Sequence, residues 1–404
     1  MEYVNKLRAF FAKPFFHKYN TLFCLWVLLG ILTWLGKTAP IKYNNFLIFR
    51  NSFWHLWEQL PLYNHYPAEY SDVFLYGPVF TLFVSPVSAM PTWLGLLCWQ
   101  ISLAVFLYIA TLRLPFEKRK IIFILWFCSH ELLTALFMSQ VNIVIAGFIM
   151  LSFICIEKEK DIWAAFFIVA GTFIKIYGVV GLAFFFFSRH KLKFILSCVG
   201  WSLVMFALPM LITGPDYIIE QYKEWFLALT SKNGINHFAL MQNISFLGML
   251  RKISGFRDYS DLLLIIPGLI AFGLPYLRIS QYKYAAFRQT ILASVLLFVV
   301  LFSTGSESST YIIAFMGVAI WYVASPWKRN KWDIGLMIFA FILTSMSPSD
   351  LFPAYIRKHI VQPYALKALP CMIIWLKLTY EMCFKEYTYK RSSTQAGCKH
   401  PLTS

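Results

Sequence analysis

Several polar side chains interrupt or border apolar segments, where an ionisable group is costly unless it has a partner or a function. Asp72 directly precedes an apolar run that begins at Val73, and Glu69 lies three residues before it. A carboxylate in such a place has the chemistry of a general base; alternatively, Ser71 and Asp72 would cap a helix beginning at Val73. Glu307 lies among small hydroxyl residues in FSTGSESSTYIIAF, either as a functional carboxylate or as a solvated residue of a turn.

Amide and ammonium groups also border or interrupt apolar segments of the sequence. Gln140 and Asn142 lie between two apolar runs, and such amides bind either sugar hydroxyls or a neighbouring helix. Lys175 interrupts the stretch FIKIYGVVGLAFFFF. Its ammonium group either extends to the headgroup layer or meets an anion such as a lipid phosphate.

A later polar segment, NGINHFALMQNISFLGMLRK, contains His237, Asn243 and Arg251. A histidine with no Cys or His at ligand spacing indicates a phosphate or hydroxyl contact better than a metal site. The sequence has no DxD pair, no GxxxxGK[ST] and no HExxH motif. These absences argue against a metal-dependent nucleotide-sugar site, an ATP-driven pump and a zinc protease, and we predict no metal and no cofactor.

The elements that position these residues are apolar. The 404-residue chain is 59% hydrophobic and 14% charged, where soluble domains have roughly 25% charged residues. We therefore predict an all-α polytopic membrane protein, which excludes a cytosolic enzyme and a secreted disulfide scaffold. The net charge of +17 comes from basic residues between apolar runs, the positive-inside pattern of cytoplasmic loops. That distribution argues for the lipid bilayer, and not nucleic acid, as the partner.

Thirteen apolar runs are visible, and some, such as 143–156 and 176–188, are shorter than the ~20 residues of a straight span. They must tilt, extend into loops or stop partway. Cytoplasmic basic loops place both termini inside, which requires an even number of crossings. We predict about twelve transmembrane helices without identifying the run that fails to span. The runs are as follows: 20–36, 73–90, 92–111, 121–137, 143–156, 161–174, 176–188, 194–212, 262–277, 289–303, 311–326, 334–347 and 366–384.

Two long loops, 37–72 and 213–261, are predicted on the non-cytoplasmic side. The second contains GPDYIIEQYKEWFLAL, whose spacing favours an amphipathic helix lying on the bilayer surface. We expect residues 1–391 to form one integral membrane domain and 392–404 a short disordered cytoplasmic tail. The short loops suit a bacterial inner membrane, with the endoplasmic reticulum as the alternative.

The order of these segments resembles glycosyltransferase family 87, whose members are GT-C transferases. The resemblance covers roughly residues 40 to 326. The matching segments are LPLY (60–63), YGPVF (76–80) with SP at 85–86, SQVN (139–142), FIK (173–175), QNISFLGMLR (242–251) and SESSTYIIAF (306–315).

The resemblance implies a GT-C bundle whose two long outer loops carry interfacial helices. It also implies an inverting, metal-independent transfer of a hexose such as mannose from a polyprenyl-phosphate sugar to a glycan or glycolipid acceptor. The polyprenyl phosphate leaves as a stable anion and needs positive or hydrogen-bonding partners rather than an acid. The family's base is an Asp early in the first outer loop, where this chain has Asn44 or Asn45. An amide cannot act as a base, so another acid of the loop, with Asp72 and Glu69 leading, is expected to replace it.

The remaining roles follow from the resemblance. Contact with the donor is expected from His237, Lys175 and Arg251, and Glu307 either orients His237 or is a second candidate base. Other expected substrate-binding residues are Asn45, Tyr76, Gln140, Asn142 and Asn243.

Two other functions remain open at this level. A transporter or flippase of lipid-linked sugars would place polar groups at mid-membrane on several helices, whereas here they gather at the outer boundary. A glycan polymerase or ligase that uses lipid-diphosphate donors is a neighbouring enzyme class with a similar architecture.

Overall fold

The structure, a computed structural model, describes residues 13–37, 39–236, 239–256 and 259–388. Within these ranges the chain is helical and has no strand. The described part contains seventeen α-helices: α1 Tyr19–Leu35, α2 Asn44–Trp57, α3 Phe80–Ser88, α4 Thr92–Leu112, α5 Lys118–Phe137, α6 Asn142–Glu157, α7 Asp161–Ile174, α8 Lys191–Ala207, α9 Met210–Thr213, α10 Pro215–Asn236, α11 Phe246–Ser254, α12 Leu262–Gly273, α13 Ala285–Leu301, α14 Tyr311–Ala324, α15 Lys331–Phe339, α16 Ala354–Ile356 and α17 Ala368–Phe384.

Among the described residues, three helical segments are long and apolar enough to cross a membrane: Thr92–Leu112, Lys118–Phe137 and Lys191–Thr213. The other apolar helices are shorter. One of the short runs gains length from its geometry, because Ile176–Phe187 is a 3₁₀ helix of 12 residues. At about 2.0 Å per residue it extends over about 24 Å, where an α-helix of the same residue count would extend over about 18 Å.

The centre of the bundle is formed by α13 and α14, which pack against each other and bury most of their residues. Their other neighbours include α5, α6 and α17. At the periphery, α8 buries only Phe194 and Met205 among its 17 residues. Leu192 and Leu203 on this helix are 70% and 65% exposed. A continuous apolar surface of this kind is stable against lipid and not against water, which indicates a helical membrane protein.

The expected helix beginning at Val73 is wrong. Residues 73–79 are not a regular helix, and α3 begins only at Phe80. Pro78 disfavours the helical conformation at the residue before it, and Gly77 donates its N–H to the carbonyl of Ile174 at 3.2 Å. Asp72 therefore caps no helix; it lies in an irregular segment that is bound to the end of α7 through Gly77.

The segment PDYIIEQYKEWFLAL is helical as expected and forms most of α10. This helix lies against the loop after α2. The Gln221 side chain accepts a hydrogen bond from the backbone N–H of Leu62 at 2.8 Å, and Trp225 Nε1 donates to the carbonyl of Leu75 at 3.0 Å. The two long loops are thereby joined, with α10 over residues 60–76.

Candidate active site

A cavity of about 290 Å³ lies where α2, the segment 72–76, the start of the 3₁₀ helix and the segment 303–307 meet. The end of α10 closes one side. Six of the residues expected from the sequence line this cavity: Asn45, Asp72, Tyr76, Gln140, Lys175 and Glu307. They come from separate parts of the chain, so only the folded bundle brings them together.

Asp72 is held by a lysine from the other long loop. Lys232 on α10 donates to both carboxylate oxygens of Asp72, at 3.0 and 3.2 Å. The Asp72 side chain remains 46% exposed. The carboxylate is therefore fixed in direction and still accessible to a molecule in the cavity.

A chain of hydrogen bonds crosses the cavity wall. Tyr76 donates its hydroxyl to Gln140 Oε1 at 2.8 Å, and Gln140 Nε2 donates to Glu307 Oε2 at 3.3 Å. Burial raises the pKa of the Tyr76 hydroxyl well above its ordinary value, and the nearby Glu307 carboxylate acts in the same direction. Tyr76 therefore stays protonated and serves as a donor, which fixes the orientation of the Gln140 amide.

Glu307 also organises the chain that follows it. Its side chain accepts from the backbone N–H of Thr310 and its own N–H donates to Thr310 Oγ1, a capping box on the short 3₁₀ helix Ser308–Thr310. A capping box satisfies two donors at a helix start reciprocally. The Glu307 carboxylate is consequently in a defined position and only partly buried.

Lys175 is positioned by Asn142. Its ammonium group donates to Asn142 Oδ1 at 2.9 Å and lies 4.6 Å from the centre of the Tyr177 ring. The Asn142 amide in turn donates to Ser309 Oγ and Thr310 Oγ1 at 3.3 and 3.4 Å. Asn142 thus lies behind the cavity and orients the lysine, so one positive charge points at the same space as Asp72 and Glu307.

Asn45, one of the two positions where the resemblance expects an acid, has a structural contact. Its Nδ2 donates to the carbonyl of Met138 at 2.8 Å. The adjacent Asn44 accepts from the backbone N–H of Ser71 at 2.8 Å. The two amides tie the start of α2 to the end of α5 and to the segment that carries Asp72.

The structure does not bring Glu69 to the cavity. Its carboxylate accepts from Asn51 Nδ2 at 2.8 Å and lies 3.0 Å from His55 Nε2. The Tyr66 ring packs on the His55 ring with their centres 4.0 Å apart. Glu69 holds the loop against α2 and faces away from the site.

Asn243 and Arg251 are also outside the cavity lining. Asn243 has a positive φ of 50° and accepts from Ser245 Oγ at 2.8 Å, which shapes the turn before α11. Arg251 is fully buried and donates to Asp261 Oδ1 at 2.8 Å and to the carbonyl of Tyr259. The Arg251 contacts join α11 to the segment before α12. His237 lies outside the described residues.

The sequence reasoning missed several lining residues. Lys232 and Asn236 lie one helical turn apart at the end of α10, and both line the cavity. Two polar residues at i and i+4 share one face of a helix, and this spacing is the sequence signal that could have indicated them. Asn236 Oδ1 is buried and accepts no hydrogen bond from the residues that the structure describes. Tyr177, two residues after Lys175, binds Ser303 through its hydroxyl at 2.8 Å.

An apolar groove of about 570 Å³ continues from the cavity. The two spaces share four residues, Ile176, Tyr177, Ser303 and Thr304. Beyond them the groove is lined mainly by apolar side chains such as Val180, Ile265 and Phe298. A ligand with a polar head and a long apolar tail fits this combination.

Gly77 fixes the distance between the Asp72 segment and Lys175. A Cβ atom on Gly77 would lie 1.9 Å from the carbonyl oxygen of Phe173. We expect Gly77→Ala to lower stability by about 1–3 kcal/mol, the usual cost of overpacking, measured as a lower thermal midpoint in detergent. Gly200→Ala on α8 is the control because no atom lies within 4 Å of its Cβ position. Equal midpoints for the two variants would contradict the close approach.

The sequence model of glycosyltransferase family 87 matches residues 74–304, more than half of the chain. The matched range includes Tyr76, Gln140 and Lys175, whereas Asp72 and Glu307 lie just beyond its two ends. No curated protein matches the chain.

Proposed function

The chain belongs to glycosyltransferase family 87, and on this premise we propose that it transfers a hexose from a polyprenyl-phosphate sugar to a glycan or glycolipid acceptor. Mannose is the leading candidate for the hexose. The observation that carries the proposal is the cavity in which Asp72, Glu307 and Lys175 meet at the end of an apolar groove. A charged head beside an apolar channel matches a lipid-phosphate donor.

We assign the prenyl chain to the apolar groove and the phosphate to the neighbourhood of Lys175. The shared residues Ile176 and Tyr177 mark the passage between the two spaces. Lys175 supplies a positive charge that is oriented in advance by Asn142. Preorganised charge of this kind stabilises an anion as it develops, because the protein dipoles need no reorganisation during the reaction.

Asp72 is our candidate for the general base. In the proposed step it takes the proton from the acceptor hydroxyl while the hydroxyl oxygen attacks the anomeric carbon. The bond from the anomeric carbon to the phosphate oxygen breaks, and its electron pair leaves with the polyprenyl phosphate. Attack from the face opposite the leaving group inverts the anomeric centre. Glu307 is the second candidate base, since it lines the same cavity.

Gln140 is expected to bind a sugar hydroxyl, because Tyr76 and Glu307 fix both ends of its amide. The leaving phosphate is stable as an anion, so the mechanism needs no general acid and we assign none. Because the leaving phosphate is already stable, one ammonium group and hydrogen-bond donors are enough to stabilise it on the donor side.

We propose that the chain crosses a bacterial inner membrane twelve times, with both termini cytoplasmic and residues 1–391 as one domain. Helix α3 is the segment to leave out, because its 9 residues extend over about 13 Å and the hydrocarbon core is about 30 Å thick. Without it, the basic segments 113–120, 189–193, 278–288 and 328–331 fall on one side. The tail 392–404 lies outside the described residues.

Transfer from a labelled donor tests the proposal. Purified protein in detergent, given polyprenyl-phosphate [14C]mannose and a mixed glycolipid extract from the host membrane, should form labelled product. No transport is possible in detergent, so turnover excludes a pure flippase. Competition by unlabelled monophosphate lipid but not by diphosphate lipid would exclude a diphosphate-dependent polymerase. Absence of product with every hexose donor would contradict the proposal.

Glu69 gives a further prediction. We expect Glu69→Gln to retain transfer within about threefold, because a glutamine still accepts from Asn51 and what is lost is a pair with His55 in which the Glu69 side chain is 38% exposed. Initial rates with the labelled donor check this. A loss as large as that of a cavity carboxylate would show that Glu69 takes part in the chemistry.

A further inference from the structure

A second cavity, of about 310 Å³, lies beside the candidate active site and shares none of its lining residues. Its walls come from the end of α5, from the segment 241–244, from Ser308 and from the segment 347–367. A volume near 300 Å³ is at the lower end of the range for small-molecule sites.

The two cavities share a wall made of three chain segments. In each segment, two residues that are close in the chain line different cavities. With the residue of the active-site cavity given first, the pairs are Glu307 and Ser308, Gln140 and Met138, and Gln242 and Met241. Consecutive α-carbons are about 3.8 Å apart, and the members of each pair are one or two residues apart, so the wall is about one to two residues thick. The 3.3 Å contact between Gln140 and Glu307 belongs to this wall.

The second cavity has a neutral character. Its one lysine, Lys367, donates to Glu131 Oε1 at 2.8 Å and to the carbonyl and hydroxyl oxygens of Ser308 at 2.9 and 3.0 Å. These three bonds use all three ammonium protons. The Asp350 carboxylate likewise accepts from Arg357 at 3.0 Å. Among the described lining residues, the cavity therefore offers no uncompensated charge to a phosphate.

The lining combines hydrogen-bonding groups with apolar ones. His130 uses Nδ1 on Ser345, and neither its Nε2 nor the Gln362 amide has a side-chain hydrogen bond within the described part of the chain. The same lining includes apolar side chains such as Leu133, Met241 and Val361. Neutral donors and acceptors beside apolar carbon are the surroundings that a saccharide with an apolar aglycone requires.

We propose that this second cavity binds the acceptor, a neutral saccharide attached to an apolar group. The inference rests on the proposed function and extends it: the donor enters along the apolar groove and the acceptor from the other side of the shared wall. Glu307 and Gln140, which belong to the shared wall, then lie between the acceptor and the donor head.

Photolabelling tests the site directly. The probe is octyl α-mannoside with a diazirine on its alkyl chain, applied to the full-length protein in detergent, with labelled peptides mapped by mass spectrometry. We expect labelling within 347–367 and 130–138 that excess octyl α-mannoside suppresses. Ser349→Trp, which fills the cavity, should reduce it at least fivefold. Leu351→Trp is the matched control, since Leu351 is 72% exposed and outside the lining.

Gln362→Ala serves as a second variant that adds no bulk to the cavity and removes one hydrogen-bonding amide from its lining; it should lower labelling at least twofold. Three results would overturn the proposal: labelling confined to 72–77 and 303–307, labelling that Ser349→Trp and Gln362→Ala leave unchanged, or labelling that the unmodified glycoside does not suppress. Absence of any labelling would overturn it as well.

The failure of this inference is distinguishable from the failure of the proposed function. Labelling needs no turnover, so a labelled second cavity without sugar transfer would contradict only the proposed function. Transfer with labelling elsewhere would contradict only the acceptor site. In the transfer assay, Ser349→Trp should raise the KM for octyl α-mannoside at least tenfold and change the donor KM less than twofold.

Discussion

Asp72→Asn should lower the rate of sugar transfer by at least ~100-fold, the lower end of what general base catalysis contributes. The substitution keeps the side-chain shape and an oxygen that accepts from Lys232, so the link between the segment 72–76 and α10 should survive. What is lost is the capacity to take the acceptor proton. Initial rates of the purified variant with polyprenyl-phosphate mannose, at matched thermal midpoint, measure the effect.

Glu307→Gln separates the two candidate bases. As a positioning residue, Glu307 keeps Gln140 in place, and a glutamine there preserves an acceptor for that amide and for the Thr310 N–H. We then expect a loss of about tenfold, with most of it in KM. If Glu307→Gln abolishes transfer and Asp72→Asn retains it, the base assignment moves to Glu307.

Lys175→Met should lower kcat by about 10²–10³-fold, comparable to the loss of one preorganised donor at a developing anion. Methionine retains the apolar stem beside the Tyr177 ring and removes the charge that Asn142 aims at the cavity. The fold-decrease in kcat should exceed any fold-change in the donor KM, because the phosphate gains negative charge as the sugar departs. Steady-state kinetics with the labelled donor check this.

Lys193→Met is the matched control for charge removal. Lys193 is exposed on α8 and is not part of the cavity lining, so transfer should be unchanged. Lys175→Arg should recover part of the rate, since the charge returns with a different shape. A normal kcat for Lys175→Met would contradict the donor-side role and leave Lys175 with a structural function.

Neighbours in the sequence show how far prediction from residues can reach. Glu69 and Asp72 are three residues apart and looked equivalent as bases. In the fold, Glu69 contacts His55 and Asn51, whereas Asp72 contacts Lys232, which is 160 residues away. Nothing local distinguishes them, because the difference comes from which helix packs over each side of the loop.

Lys175 and Glu307 were more predictable. Each lies among apolar or small residues, where a charged group is costly unless it has a partner or a function. Both line the cavity. Arg251 was expected at the donor from the resemblance, yet it donates to Asp261 just before α12. An isolated charge in the sequence thus indicates that a partner exists without identifying it.

The long apolar runs of this chain, which is 59% hydrophobic, predicted a protein of apolar helices, because a helix satisfies its backbone hydrogen bonds within one segment in lipid. Only the tertiary structure decided which polar residues share a cavity. The helix that begins at Phe80 instead of Val73, and the approach of Gly77 to Phe173, depend on contacts between distant segments. Such contacts are set by packing in three dimensions, which the spacing of residues along one chain does not encode.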